Sequence, residues 1–278
     1  MGALAAIIQS DPNLLPCQVA RLDAHVALRD GDRLPDAYGF GHYGGGSVLL
    51  GKRPTGAAQP LGLAELAGGL DSEALLVHAR YATVGKAKDE NTHPFRFRRW
   101  LFAHDGTVEA FERVRPMLLE GLPDFLRRNL MGDTDSEHLF LWFLKQLRDE
   151  GRMDELDLDA ATAGRALAAT IRQVEDFSRR AGAQRPSRLV LVATNGRIMV
   201  ASRRGGPLHY ALLEGIVPCA LHDLDARTPE SDPRLRPHRL VKAVVFASRL
   251  RSPNGFNEVP EGNIAAVSRS LQITLTAI

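Results

Sequence analysis

Residues 2–8, Gly-Ala-Leu-Ala-Ala-Ile-Ile, carry no charge, and such a run predicts a buried strand at the start of the chain. Chain ends fray unless a sheet holds them, so this strand implies a sheet built around it. Residues 14–30 space their apolar positions as a helix does. Residues 36–54 alternate around Gly44, Gly45 and Gly46, which predicts a hairpin. A short helix is expected over 63–70. Residues 74–83 and 99–108 are apolar almost throughout, the pattern of strands covered on both faces.

The middle of the chain changes period. Residues 136–151 predict an amphipathic helix with Leu139, Trp142, Phe143 and Gln146 on one face, capped by Thr134 or Asp135 and ended by Gly151. A second long helix spans 157–182 and stops at Gly182. Strands return at 188–204, 208–215, 242–248 and 263–278. Asn195-Gly196 predicts a type I′ hairpin turn inside the first of these. Residues 221–239, rich in Pro, Arg and Asp, read as a surface loop. Strands, then helices, then strands, with no linker or repeat, imply sheets with helices packed outside them.

Composition narrows the class. With 278 residues, 44% hydrophobic and 24% charged, the chain can bury a sizeable core. The net charge of +2, from 35 basic and 33 acidic residues, gives no reason to expect nucleic acid or a membrane as partner. The two cysteines, Cys17 and Cys219, are too few for a disulfide framework or a Cys-based zinc site. No secretory leader pattern and no 18-residue apolar window are present, so a reduced cytoplasm is the expected compartment. Gly44–Gly46 lack the Lys-Ser/Thr and helix of a phosphate loop and are expected to be a turn. His78, His93, His104 and His138 lack the spacing of a metal set and are expected to be buried, hydrogen-bonded histidines. No metal and no cofactor are expected.

Six stretches, in order, carry a resemblance: PDAYGFGHY (35–43), HARYATVG (78–85), NTHPF (91–95), FAHDGTV (102–108), GDTDSE (132–137) and NEVPEGNIAAV (257–267). Together they resemble the class II glutamine amidotransferases, which are N-terminal-nucleophile hydrolases. They are most similar to the short, stand-alone branch that cleaves γ-glutamyl amides. The resemblance implies an α+β fold, a four-layer αββα sandwich, with residues 1–278 as a single domain. It implies glutamine or a γ-glutamyl small molecule as ligand. Arg80 is then the natural clamp for the ligand's α-carboxylate, because guanidinium and carboxylate pair in a two-pronged fork. Tyr81 and Thr83 would flank that site, and Asp135 would take the α-ammonium. Asn91, Thr92, His93 and Pro94 are expected to shape the turn that holds these pieces.

The pattern breaks at two positions. The family's nucleophile is a cysteine exposed by removal of the initiator Met or a propeptide, with its own α-amine as base. Here that position is Gly2, beside a removable Met1, and glycine offers no attacking group. The family's oxyanion-binding Asn is Asp105, followed by Gly106 as the backbone donor. An ionised Asp only accepts hydrogen bonds, and losing one oxyanion donor costs roughly 10²–10³ in rate. Three functions stay open. The chain binds glutamine or a γ-glutamyl compound without turnover, as a sensor or as an assembly subunit with a protein partner or a second copy of itself. It is an active γ-glutamyl amide hydrolase or amidotransferase whose nucleophile is unusual, with Cys17, Cys219 or a water activated by the Gly2 amine as candidates. Or it is a structural module with a vestigial site.

Overall fold

The computed structural model describes residues 2–29, 33–54, 62–81 and 88–278. The N-terminal half contains β1 (Ala3–Gln9), α1 (Leu15–Asp23), β2 (Ala37–Gly44), β3 (Ser47–Pro54), α2 (Leu63–Ala67), β4 (Ala74–Arg80), β5 (Phe95–Phe97) and β6 (Trp100–Thr107). The helical middle is α3 (Phe111–Gly121), α4 (Asp124–Arg127), α5 (Asp135–Asp149) and α6 (Ala160–Arg180). The remainder is β7 (Arg188–Thr194), β8 (Met199–Arg203), β9 (His209–Glu214), α7 (Leu235–Leu240), β10 (Lys242–Ala247), β11 (Asn257–Glu258), β12 (Asn263–Val267) and β13 (Ile273–Ala277).

Two antiparallel sheets result. One runs β11-β9-β10-β1-β4-β2-β3 and the other β13-β12-β8-β7-β6-β5. Period-two alternation decides what each strand face touches. In β1, Ala3, Ala5 and Ile7 pack with Leu15, Val19 and Leu22 of α1. The intervening Leu4, Ala6 and Ile8 pack with Leu101, Ala103, Val190 and Val192 of the second sheet. The other face of that sheet, through Phe102, Leu189 and Leu191, meets Leu139, Phe140 and Phe143 of α5 and Leu167 and Ile171 of α6. Helix, sheet, sheet, helix is the four-layer αββα arrangement. Strands β1 and β4 are buried along their whole length because each is inside a sheet whose two faces are both covered.

Several sequence expectations hold. Thr134 caps α5 by accepting from the Glu137 N–H. The second long helix begins later than expected, at Ala160, where Asp159 caps it through the Thr162 N–H. Gly151 and Gly182 follow those helices at positive φ. Gly45 and Gly46, at φ +56° and +79°, make the β2–β3 turn. Others change. The N-terminal helix stops at Asp23, and Val26 bridges to Leu250 instead. The β7–β8 connection is a hairpin, but Asn195 is not left-handed as a type I′ turn requires. Its side-chain oxygen accepts from the Arg197 and Ile198 N–H groups, which closes a wider loop. Helices α3, α4 and α7 were not expected; α7 lies in the stretch read as a surface loop, and its Leu235 and His238 are buried.

One close approach positions the site. A β-carbon at Gly39 on β2 would overlap the His93 carbonyl, so only glycine lets the 91–95 turn lie against that strand. Backbone cannot swing aside as a side chain can. Gly39→Ala is therefore expected to cost about 1–3 kcal/mol. Gly46→Asn, in open space at a φ that Asn tolerates, is expected to cost under about 1 kcal/mol. Urea denaturation of the two variants checks the contrast, and equal losses would contradict it.

Candidate functional site

The N-terminal end of β1, the C-terminal ends of β4 and β6, and the first turn of α5 converge on one pocket. Its described lining includes Gly2, His78, Arg80, Tyr81, His93, His104, Gly106 and Asp135. The register Leu4↔His78 carries β4 past the start of β1, so His78 stands beside Gly2. Asp105 bridges from the second sheet. Its Oδ1 accepts the Gly2 N–H at 2.8 Å, and its Oδ2 faces Arg188 Nη2 at 3.3 Å. Arg188 opens β7 and pairs with Thr107, which brings its guanidinium alongside the Asp105 carboxylate. Asp105 is buried and Arg188 is partly exposed. Both carboxylate oxygens thus already have a partner.

Gly2 has no room for a side chain as the pocket stands. A β-carbon there would lie 2.5 Å from His78 Nε2, 3.0 Å from its Cε1 and 3.1 Å from the Ala79 carbonyl. The imidazole fills the volume that a cysteine's first carbon would need. His78 and His93 sit ring against ring at 4.2 Å between centroids, and among the described residues no well-formed hydrogen bond reaches their four ring nitrogens. The expectation that both are hydrogen-bonded is corrected: they are buried and line the pocket. His104 differs. Its Nε2–H donates to the Arg188 carbonyl at 2.9 Å, since a carbonyl only accepts, and its Nδ1 lies 3.0 Å from Ser136 Oγ. A β-carbon at Gly106 would strike that same carbonyl, so this turn of β6 also demands glycine.

Arg80 ends β4, almost wholly buried. Burial pulls its pKa down, and the negative charges of Asp36, Asp133 and Asp135 oppose that pull. Tyr81 follows, its hydroxyl donating to the Arg33 carbonyl. Asp135 is the first residue of α5 rather than its cap. Its Oδ2 accepts from the Val108 N–H at 2.8 Å and its Oδ1 from the Ser136 N–H at 2.9 Å. Asn91 exchanges two hydrogen bonds with Asp133, its amide donating to Oδ1 and its carbonyl oxygen accepting from N–H, so the 91–95 turn is tied to the loop before α5. Thr83 lies outside the described residues. Neither Cys17 nor Cys219 belongs to the described lining. The pocket encloses about 20 Å³, close to one water-sized sphere.

Of the residues expected from sequence at the site, Gly2, Arg80, Tyr81, Asp105, Gly106 and Asp135 come together here. Sequence reasoning missed Arg188, Ser136 and the pocket-facing placement of His78 and His93. Arg188 shows in sequence only as a charge opening an apolar strand. Its partner is visible only once β6 and β7 are paired.

Comparison with known proteins agrees with this architecture. The family described as glutamine amidotransferases class-II matches residues 22–271, and the chain belongs to it. The probable glutamine amidotransferase DUG3 of Saccharomyces cerevisiae is 29% identical over 148 residues, 51% of this chain and 42% of that protein. A putative glutamine amidotransferase of Haemophilus influenzae is 27% identical over 144 residues, 50% of this chain and 41% of that one. The matched stretch is thus about two fifths of these relatives' length. Among solved structures, a glutamine aminotransferase class-II domain protein from Silicibacter pomeroyi superposes with a TM-score of 0.61 at 21% identity, covering 99% of this chain and 98% of that one. Glutamine phosphoribosylpyrophosphate amidotransferase from B. subtilis gives 0.53 at 13% identity, over 99% of this chain and 49% of that one. These two share the fold.

The two buried histidines set a pH dependence. Burial holds His78 down at about 4 and His93 well below the ordinary 6.5. Between pH 6.5 and 4 the unfolded chain takes up protons there that the folded chain refuses, so stability falls as pH drops through that window. The His78 share is roughly 3 kcal/mol across it. His78→Gln is expected to make the fall in stability between pH 7 and 4.5 shallower, leaving the His93 share, as measured by urea denaturation; an unchanged slope would contradict the assignment.

Proposed function

We propose that this chain is a non-hydrolytic member of the class II glutamine amidotransferases, with residues 1–278 acting as one domain. In this reading it recognises glutamine or a γ-glutamyl compound as a sensor or assembly subunit. One observation carries it: Gly2 offers no nucleophile, its N–H is held by Asp105, and Asp105 is held by Arg188. The Asp105 carboxylate, facing two donors, cannot supply the hydrogen bond that an oxyanion needs. The His78 ring occupies the space that a β-carbon at Gly2 would take.

Recognition is supported by what remains. Arg80, Tyr81 and Asp135 line the same pocket as Gly2 and Gly106. Arg80 has the fork geometry for an α-carboxylate. Asp135, already bonded to Val108 and Ser136, would share its carboxylate with an α-ammonium. Thr83 would flank them.

A second reading has its own support. A pocket of about 20 Å³ is far too small for an amino acid, so any ligand must widen it. If it does not widen, the chain is a structural module with a vestigial site.

Calorimetric titration with L-glutamine and a panel of γ-glutamyl amides, run beside a glutamate-release assay, separates these. Binding is expected in the native chain, lost in Arg80→Ala and weakened about tenfold or more in Arg80→Lys, with no glutamate above a heat-killed control. Enzyme-like release would overturn the non-hydrolytic assignment. No binding by the native chain would overturn recognition in favour of the structural module.

A further inference from the structure

The helix that follows β1 and the segment between β9 and β10 meet at four side chains: Cys17, Cys219, His222 and His238. One ligand atom from each lies within 4.8 Å of all the others, and among the described residues this is the group of His, Cys and carboxylate side chains that converges so. Three of the four residues are buried, and His222 is partly exposed. The measured separations are 3.2 Å for Cys17 Sγ to His222 Nδ1, 3.8 Å for Cys17 Sγ to His238 Nε2, 3.5 Å for Cys219 Sγ to His222 Nδ1, and 3.1 Å for His238 Nε2 to His222 Nδ1.

Hydrogen bonding among these groups does not account for the cluster. Three partners crowd His222 Nδ1, yet a ring nitrogen either carries one hydrogen or offers one lone pair in the ring plane. The tautomer of His238 is set from outside. Its Nδ1–H donates to the Arg234 carbonyl at 2.7 Å, which leaves the Nε2 lone pair aimed into the cluster. A second interaction of that kind is the usual companion of a metal-binding histidine. Cys219 and His222 are brought round by a tight turn in which Cys219 and Leu224 exchange backbone hydrogen bonds.

The geometry points to a structural zinc site of the Cys₂His₂ type, formed by Cys17, Cys219, His222 and His238. Two thiolates and two imidazoles are the donor set of closed, tetrahedral zinc sites. Zinc bonds of about 2.3 Å to sulfur and about 2.0 Å to nitrogen place tetrahedral ligand atoms roughly 3.3–3.8 Å apart. The four measured separations, 3.1 to 3.8 Å, match that spacing within a few tenths of an ångström. Four protein ligands leave no open position, so the ion holds structure and does no chemistry. What it would hold is evident from the packing. A small apolar cluster, including Leu14, Ile216, Leu224, Leu235 and Val241, and a hydrogen bond from Arg21 to the Gly215 carbonyl join this segment to α1 and the turn before it. Metal ligation is how small cores are commonly reinforced. This departs from the expectation that two cysteines are too few for a Cys-based zinc site and that no metal is held: two histidines complete the set, one of them 205 residues from Cys17 in sequence.

The test uses the full chain, purified without a histidine tag. Elemental analysis is expected to give about one zinc per chain. Cobalt exchanged for zinc should give the visible absorption of tetrahedral cobalt with thiolate charge-transfer bands. Chelation should lower the melting temperature of the native chain, which requires no variant. Cys219→Ser/His238→Gln should reduce zinc at least tenfold while circular dichroism keeps the native secondary structure. Three results would overturn the proposal: less than a tenth of an equivalent of metal in chain purified with zinc present, a Cys17–Cys219 disulfide in its place, or equal zinc in native and variant chains.

Discussion

Asp105 is the residue on which the site depends. It stands in the second sheet and accepts a hydrogen bond from Gly2, the residue just before the central strand of the other sheet. A carboxylate taken out of water must find partners, or the fold bears its desolvation cost. Here Gly2 and Arg188 answer that requirement, one oxygen each. An ionised Asp105 accepts from both partners and has no hydrogen of its own to donate. In the proposed reading, the bond that joins the sheets at this pocket therefore stands where the family's side-chain oxyanion donor would be, and the Gly106 N–H is the donor position that remains.

The neighbouring residues follow from this arrangement. With no side chain at Gly2, the His78 ring can stand over that position. It packs on His93, and burial keeps both imidazoles neutral. The glycines at 39 and 106 let backbone carbonyls of the 91–95 turn and of β7 approach where a β-carbon would collide. Arg80 keeps its place beside three acidic groups. The pocket is therefore tightly occupied by its own walls, while the surrounding αββα scaffold is that of the family.

Much of this was legible in the sequence. Strands buried on both faces are visible as continuous apolar runs, so β1, β4 and β6 stood out. Helix α5 carries a recognisable N-cap, and α5 and α6 each have a closing glycine. The weaker signals failed for physical reasons. Pro116 lies inside α3 and masks it. Asn195-Gly196 is a strong local turn signal, but Thr194 and Asn195 side chains recruit two more residues into the loop. The motif residues that converge on the pocket could be named from sequence because each motif is local. Arg188 and the group around Cys17 depend on strand pairing and on contacts between distant segments, which no spacing along the chain encodes.

The central claim of the proposed function is that Gly2 leaves the family's nucleophile position without an attacking group. It is tested most directly by exposing the native chain to an electrophilic γ-carbonyl analogue of glutamine and measuring its intact mass. The account expects the mass of the untreated chain and no labelled peptide from the N-terminal strand. A stoichiometric adduct on the N-terminal residue, or on any residue lining the pocket, would contradict it.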